Sequence, residues 1–410
     1  MPKNLGIHAE EVKADFEKVG CIAYRTQKVH NVYMQIKRAY KFRFYPTKEQ
    51  ENILAQTFGC ARFAYNYMLR LRANAWFKEQ KKVGYHETSA ALTVLKKQPE
   101  YLWLNEVSSV PVQQSLRHLQ TAFHNFFVKR AKYPAFKSKN DKQSAEYTAS
   151  AFKWDGVCFR LPRMNTPLDI RWSRTLPKTA KVTTATVTKD ASGRYFVSLL
   201  CDDVVTAKPS VTGRIGIDLG LTDFAILSNG EKIKPPKAFR TNEFTLVKLQ
   251  RRMAKKKKGS KNRVKARMKV ARLHAKIADI RKDFLHKLST RLVSENQTLA
   301  IETLAVKNMQ KNHCVAKSIS DAGWGEFVRQ LEYKSLWYGR ELIGIDRWYP
   351  SSKRCSDCGY TALKMPLKVR EWTCQECGSI HDRDINAARN ILAAGLAVSA
   401  LGENVSPNCI

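Results

Sequence analysis

The sequence predicts a mixed chain of strands and helices: a small N-terminal β-barrel interrupted by a block of helices, then further short strands and helices with a four-cysteine, zinc-like segment before the last helix. Three observations predict it. The hydrophobic period moves from two to about 3.6 and back to two between residues 35 and 207. After residue 213, short apolar strand-like runs contain or end in a carboxylate. Near the C-terminal end, two Cys-x-x-Cys pairs stand 15 residues apart.

Residues 1–33 mix acids and bases (Glu10, Glu11, Asp15, Glu17) without a clear sheet or core pattern. They read as a leader that need not belong to the fold, and translation from Met1 or from Met34 stays open. From Met34 the alternation Gln-Ile-Lys-Arg-Ala-Tyr-Lys-Phe-Arg-Phe-Tyr sets Tyr40, Phe42 and Phe44 on one face of a strand. Thr47, followed by Glu49 and Gln50, reads as a helix start. About four helices with basic outer faces are expected to Lys132, carried by repeats such as Phe63, Tyr67, Leu71 and Leu116, Leu119, Phe123, Phe126, Phe127. Between about 145 and 207, Val182, Thr184, Thr186 and Thr188 alternate, Asp190–Gly193 turns, and Tyr195–Cys201 returns as a strand.

Ile215–Asp218 and Phe224–Leu227 read as strands, with Asn229-Gly230 as a hairpin turn. A helical hairpin follows over 243–293, in which Lys248–Arg291 holds 18 Lys and Arg against two acids. Leu273, Ile277, Ile280, Phe284 and Leu288 keep a helical stripe, so the hairpin is folded. Leu299–Glu302 is a further strand, 321–342 an amphipathic helix, and Asp384 opens the last helix.

The chain has 410 residues and a formal charge of +36, with 43% hydrophobic residues. That is too apolar for a disordered basic tail, and the charge calls for a polyanionic partner. The longest apolar run, Ile391–Leu401, is too short to span a bilayer, and no secretory signal opens the chain. A cytoplasmic nucleic-acid protein is expected.

Cys355, Cys358, Cys374 and Cys377 supply four thiolates from two knuckles, each followed by a glycine, as a structural zinc requires. Two disulfides or unliganded cysteines are the competing readings. Cys21, Cys60, Cys158, Cys201, Cys314 and Cys409 have no partner at ligand spacing. Asp218 interrupts an apolar strand where an unpaired acid is costly. Glu302 ends a strand and Asp384 begins a helix. Singly, Glu302 could be a salt-bridge partner and Asp384 a helix cap. Held together, the three would need a bound cation, and spacing alone leaves open whether they converge.

Gly216-Ile-Asp-Leu-Gly220, Ile301-Glu-Thr-Leu304, Ser318-Ile-Ser-Asp-Ala-Gly-Trp-Gly-Glu-Phe327, the two cysteine knuckles and His381-Asp-Arg-Asp-Ile-Asn-Ala-Ala-Arg-Asn-Ile391 together resemble the TnpB family. Its members are transposon-encoded RNA-guided DNA nucleases related to type V CRISPR effectors. The resemblance runs from about Met34 to about residue 400 and is most specific after 213. It implies an α/β RuvC (RNase H-like) nuclease at 212–350 and 379–402, an inserted zinc ribbon at 351–378 and a tail at 403–410. It implies a wedge β-barrel at 34–46 and 145–211, with a helical recognition insertion at 47–144.

The resemblance also implies that Asp218, Glu302 and Asp384 are catalytic and hold two Mg²⁺, with Asp382 a nearby alternative to Asp384. Tyr85, Ser89 and Gln113 match the stretches that read the transposon-adjacent motif in DNA. Arg251, Arg252 and Lys255, Lys256, Lys257 and Lys258 are expected on nucleic-acid phosphates. The Trp324 and Trp337 helix is read as core. The expected partners are a guide RNA from the transposon end and a double-stranded DNA target, with a monomer on RNA favoured. The alternatives are a nuclease-silent RNA-guided DNA-binding regulator and an accessory transposase protein.

Overall fold

The structure, a computed structural model, describes residues 22–25, 33–140, 142–177, 179–366 and 368–401. In chain order the first elements are β1 (Ile22–Arg25), β2 (Tyr33–Tyr45), α1 (Lys48–Glu79), α2 (Tyr85–Leu95) and α3 (Ser109–Phe127). Strands β3 (Gln143–Thr148), β4 (Lys153–Trp154), β5 (Phe159–Arg160), β6 (Asp169–Arg171), β7 (Lys181–Lys189), β8 (Tyr195–Thr206), β9 (Arg214–Leu219), β10 (Ala225–Leu227) and β11 (Lys232–Ile233) follow. Then come helices α4 (Ala238–Ala254) and α5 (Lys261–Glu295), β12 (Thr298–Glu302), and helices α6 (Val306–Met309), α7 (Ala316–Ala322) and α8 (Trp324–Tyr338). Strands β13 (Glu341–Ile345), β14 (Glu371–Thr373) and β15 (Ile380–Asp382) lead into α9 (Arg383–Leu401). Among the described residues no helix is long and apolar enough to cross a membrane.

Two compact units result. One comprises residues 35–204 and 259–272. Its sheet has the order β3-β7-β8-β2-β6. Period two on β2 buries Tyr40, Phe42 and Phe44 to within 2% exposure, against Leu54, Tyr147, Val187 and Leu199. Thr47, two residues beyond that strand, starts α1 through a reciprocal capping box with Gln50. On β7 a bulge between Val182 and Thr184 shifts the register, so Ala185 and Val187 are buried rather than Thr184 and Thr186, and Thr188 is buried beside Val187. The helical block holds three α-helices and a 3₁₀ stretch, Pro99–Asn105, rather than four α-helices.

The other unit comprises the described residues to Met34, residues 205–258 and those from Leu273 on. Its six-stranded sheet runs β1-β13-β12-β9-β10-β11. The β13, β12 and β9 strands are parallel, while β10 and β11 return as antiparallel hairpins. Gly230 takes φ +94° in the second turn, and Asn229 accepts the Glu231 N–H. Alternation sorts the sheet's two faces. Ile215, Ile217, Leu299 and Ile301 meet Leu285, Leu288 and Leu292 of α5 and Phe327 and Leu331 of α8. Gly216 and Ala300 point the other way, under α9.

The helix expected over 321–342 differs. Gly323 (φ +74°) separates α7 from α8, Gly339 (φ +67°) ends α8, and Glu341–Ile345 is a buried parallel strand. A strand buried on both faces is uniformly apolar and lacks the alternation that marks half-buried strands. Four residues of the leader form β1, antiparallel to β13 at the sheet edge. Edge pairing is made by main-chain groups and leaves little side-chain pattern to read.

Candidate functional site

The sheet decides where the acids stand. On β9, Asp218 follows Gly216 by two and therefore faces α9; on β12, Glu302 follows Ala300 by two and does the same. The strands pair Ile301 with Ile217, so Glu302 and Asp218 lie one position beyond that pair. Helix α9 comes very close to this face. A Cβ on Gly216 would strike the Ala388 carbonyl, and one on Gly395 would meet Ala300 Cβ at 2.6 Å. Gly216, Ala387, Ala388 and Gly395 thus set the contact that brings the first turn of α9, with Asp384, over the two strand ends.

Asp218 feels the other two carboxylates. Asp218 is pushed up to about 7, first by burial and then by repulsion from Glu302 and Asp384, with Arg383 pulling the other way. Burial also pushes Glu302 up to about 7. Desolvation and like charge both disfavour the ionised form, and both penalties are lifted by a divalent cation. The donor set is all oxygen, which suits Mg²⁺. Among the described residues only the four cysteine sulfurs form a donor group with every member within 4.8 Å of the others, so the carboxylates form a more open set.

Asp382 does different work. Its Oδ1 accepts the N–H groups of Asp384 and Ile385 at 3.0 Å each, and its Oδ2 accepts from Lys232 Nζ at 2.6 Å. It is the α9 cap, and the Lys232 ammonium and backbone donors hold its carboxyl below the usual range, against a raising effect of burial. Among the described residues the Asp384 carboxylate has one long contact, from Arg370 Nη1 at 3.4 Å.

The four cysteine sulfurs gather as the spacing predicts. Cys355 and Cys377 Sγ are 3.7 Å apart and Cys358 and Cys374 Sγ 3.5 Å. Disulfide sulfurs would stand about 2.05 Å apart. Four sulfurs at about 2.3 Å from a central zinc would be about 3.8 Å apart, so the set fits the metal. Gly359 (φ +83°) and Gly378 (φ +73°) return their N–H groups to the Cys355 and Cys374 carbonyls. His381, whose ring is tilted against Trp372 with centres 5.0 Å apart, lies 3.0 Å from Cys355 Sγ.

Asn386 and Asn390, one helical turn apart on α9, sew this ribbon to the sheet. Asn386 donates to the Arg354 carbonyl at 2.7 Å and accepts the Ser356 N–H at 2.9 Å; Asn390 donates to the carbonyls of Ser351 and Arg354. Sequence reading quoted these asparagines without a role, although i, i+4 amides on an otherwise small-residue helix are the signal that could have given one. Of the other cysteines, Cys60 and Cys201 are buried and Cys158 and Cys314 exposed; Cys21 and Cys409 lie outside the described residues. Trp324 is buried in the core, and Trp337 lies against Tyr333 with ring centres 4.6 Å apart.

In the other unit, Tyr85 opens α2 half-buried, with Arg117 over its ring at 5.0 Å. Exposed Gln113 lies one turn before Arg117 on α3, so Tyr85 and Gln113 share a neighbourhood. Ser89 lies one turn after Tyr85 on α2. Arg251, Arg252 and Lys255 to Lys258 are exposed at the end of α4 and in the turn beyond it.

A six-stranded sheet with a parallel β13-β12-β9 centre and antiparallel edges, a carboxylate face and an inserted four-cysteine ribbon defines the class: a RuvC-type effector nuclease fold. Solved structures agree. The chain matches the Cas12f1–sgRNA–target DNA complex over 87% of its length and 98% of that chain, with TM-score 0.54 at 14% identity. It matches the mini-RNA-guided endonuclease CRISPR-Cas_phi3 over 98% and 97%, with TM-score 0.50 at 10% identity. Family models described as "Probable transposase", "Cas12f1-like, TNB domain" and "Helix-turn-helix domain" match residues 187–313, 324–391 and 34–82. The last span here is strand β2 followed by the single long helix α1.

A Streptomyces pristinaespiralis protein named "Putative RNA-guided DNA endonuclease" is 59% identical over 91% of this chain and 93% of its own. An Escherichia coli K12 relative of the same description, InsQ, is 34% identical over 90% and 94%. The chain belongs to the TnpB family.

Proposed function

We propose that the protein is a transposon-encoded, RNA-guided, Mg²⁺-dependent DNA endonuclease that cuts DNA beside a short transposon-adjacent motif. The observation that carries this reading is the carboxylate face of Asp218, Glu302 and Asp384, where a divalent cation would relieve the burial of Asp218 and Glu302 and the repulsion that Asp218 feels. Asp218, Glu302 and Asp384 would hold Mg²⁺, which supplies Lewis acidity at a phosphodiester and a more acidic water. The chain's own groups do the rest. The Asp382 cap and the asparagine pins hold Asp384 toward the strand ends, and Lys232 balances charge beside it. The four cysteines would hold a structural zinc.

The lysines and arginines of 248–291 supply phosphate contacts for a guide RNA and its DNA partner. Tyr85, Ser89 and Gln113 would read the flanking motif, and the β2-containing sheet would be the wedge barrel. The complete acid set favours a cutting enzyme over a silent DNA-binding regulator. The test is whether protein purified at low salt carries a discrete RNA, and whether that complex with Mg²⁺ linearises a plasmid bearing the matching target. Protein free of RNA, or a complex that binds the target without cutting it, would refute the reading.

A further inference from the structure

His381 stands between the cysteine centre and the cap of α9. It pairs with Trp372 across the β14–β15 hairpin and is 3% exposed, while Ile380 before it is 78% exposed. Strand alternation turns the imidazole inward, and this brings Nε2 to 3.0 Å from Cys355 Sγ. The imidazole stands outside the donor set itself. Among the described residues, the group whose donor atoms all lie within 4.8 Å of one another consists of the four sulfurs.

The chemistry of the sulfur fixes what this contact is. A thiolate that binds zinc has lost its proton, so the shared hydrogen sits on Nε2 and the imidazole donates. Four thiolates around one zinc leave a net charge of about −2. Buried charge of that kind is costly unless it is hydrogen-bonded, and Cys355 is 1% exposed, so water has little access to it. Backbone N–H groups of Asp357 and Cys358, within the same knuckle, serve the sulfur. His381 adds a side-chain donor from a strand beyond the second knuckle.

The contact joins two routes by which the ribbon holds α9. The Arg354 carbonyl, next to Cys355, accepts from Asn386 and Asn390 of that helix. Asp382, next to His381, accepts the N–H groups of Asp384 and Ile385 in its first turn. We propose that His381 is a positioning residue that donates its Nε2–H to the zinc-bound Cys355 thiolate and so couples the metal centre to the seat of Asp384. The proposal rests on zinc in the cysteine site and, for its effect on cutting, on the nuclease reading above. Outer-shell partners of this kind contribute about ten- to a hundredfold to metal affinity or activity.

The first measurement needs no variant. In full-length wild type labelled with ¹⁵N-histidine and loaded with ¹¹³Cd in place of zinc, one histidine Nε2–H should show a coupling to cadmium through the N–H···S bond. A cadmium-coupled histidine nitrogen that carries no proton would make His381 a ligand, and the absence of any coupled histidine would mean no hydrogen bond; either overturns the proposal.

The second compares two variants. His381→Phe keeps a ring and loses the donor. It should hold zinc about tenfold less tightly against a chelator, and its Co²⁺ form should move the sulfur-to-metal charge-transfer band to lower energy. His381→Gln, whose amide nitrogen reaches to the place of Nε2, should recover most of both. Wild-type zinc retention and a wild-type cobalt spectrum in His381→Phe would overturn the hydrogen bond. With guide RNA, target and Mg²⁺, cutting by His381→Phe should fall about tenfold and return in His381→Gln; unchanged cutting overturns the coupling to Asp384. Failure of wild type to cut any guided target instead sinks the nuclease reading, and the cadmium coupling and cobalt spectra then decide the hydrogen bond alone.

Discussion

Asp382 accepts the backbone N–H of Asp384 at 3.0 Å, so one acid of the His-Asp-Arg-Asp motif is spent on holding the other. The cap fixes the first turn of α9, and that turn aims Asp384 at the strand ends of β9 and β12. Removing the cap should cost about 1 kcal/mol of stability. Asp382→Ala should therefore melt lower and cut about tenfold more slowly, whereas Asp382→Asn, which still caps, should recover most of both. Asp384→Ala should lose at least a hundredfold in cutting with little change in melting. Equal rates for Asp382→Ala and Asp382→Asn would contradict the division of labour.

The close seat of α9 on the sheet gives a second expectation. Gly216→Ala puts a methyl into the Ala388 carbonyl and the Leu392 Cβ, the latter at 2.8 Å. Overpacking of this kind costs about 1–3 kcal/mol. Urea denaturation should show that loss, and cutting should fall as well because Asp384 is displaced.

Protonation of the acids sets a pH dependence. In the unfolded chain Asp218 and Glu302 titrate at about 4, and in the fold both are pushed up to about 7. Between those values the folded protein holds more protons, so stability falls as pH rises through the window and levels off above it. Without Mg²⁺, wild type should lose more of its melting temperature between pH 5.5 and 8 than Asp218→Asn does. Added Mg²⁺ should stabilise wild type more at pH 8 than at pH 5.5, since protons compete for the same oxygens. Parallel pH curves for wild type and Asp218→Asn would contradict the coupling of these acids.

Zinc should matter to the acids at a distance. Elemental analysis should give one zinc per chain, and Cys374→Ser should lose it. Because Asn386 and Asn390 tie the ribbon to α9, metal loss should also slow cutting, while RNA stays bound through the basic helices. Full activity of zinc-free protein would break that link.

Much of this was legible in the sequence for physical reasons. Period two exposed β2 through Tyr40, Phe42 and Phe44, and the Thr47–Gln50 box announced α1. Two Cys-x-x-Cys knuckles required a common centre. β13 escaped because Glu341–Ile345 is buried on both faces and shows no alternation, and its neighbour α8 lent it a helical look. β1 escaped because an edge strand is held by its backbone. The bulge on β7 reset which residues face the core, a change of one residue that no periodicity reports. Convergence of the three acids lay in the register of β9 on β12 and the seat of α9, both set by long-range pairing.

The most direct measurement is guided plasmid cleavage by Asp218→Ala beside wild type, both loaded with the same RNA in Mg²⁺, with target binding followed in parallel. The RuvC-site account predicts no detectable cutting by the variant and target binding within about twofold of wild type. Cutting by Asp218→Ala at the wild-type rate would contradict it.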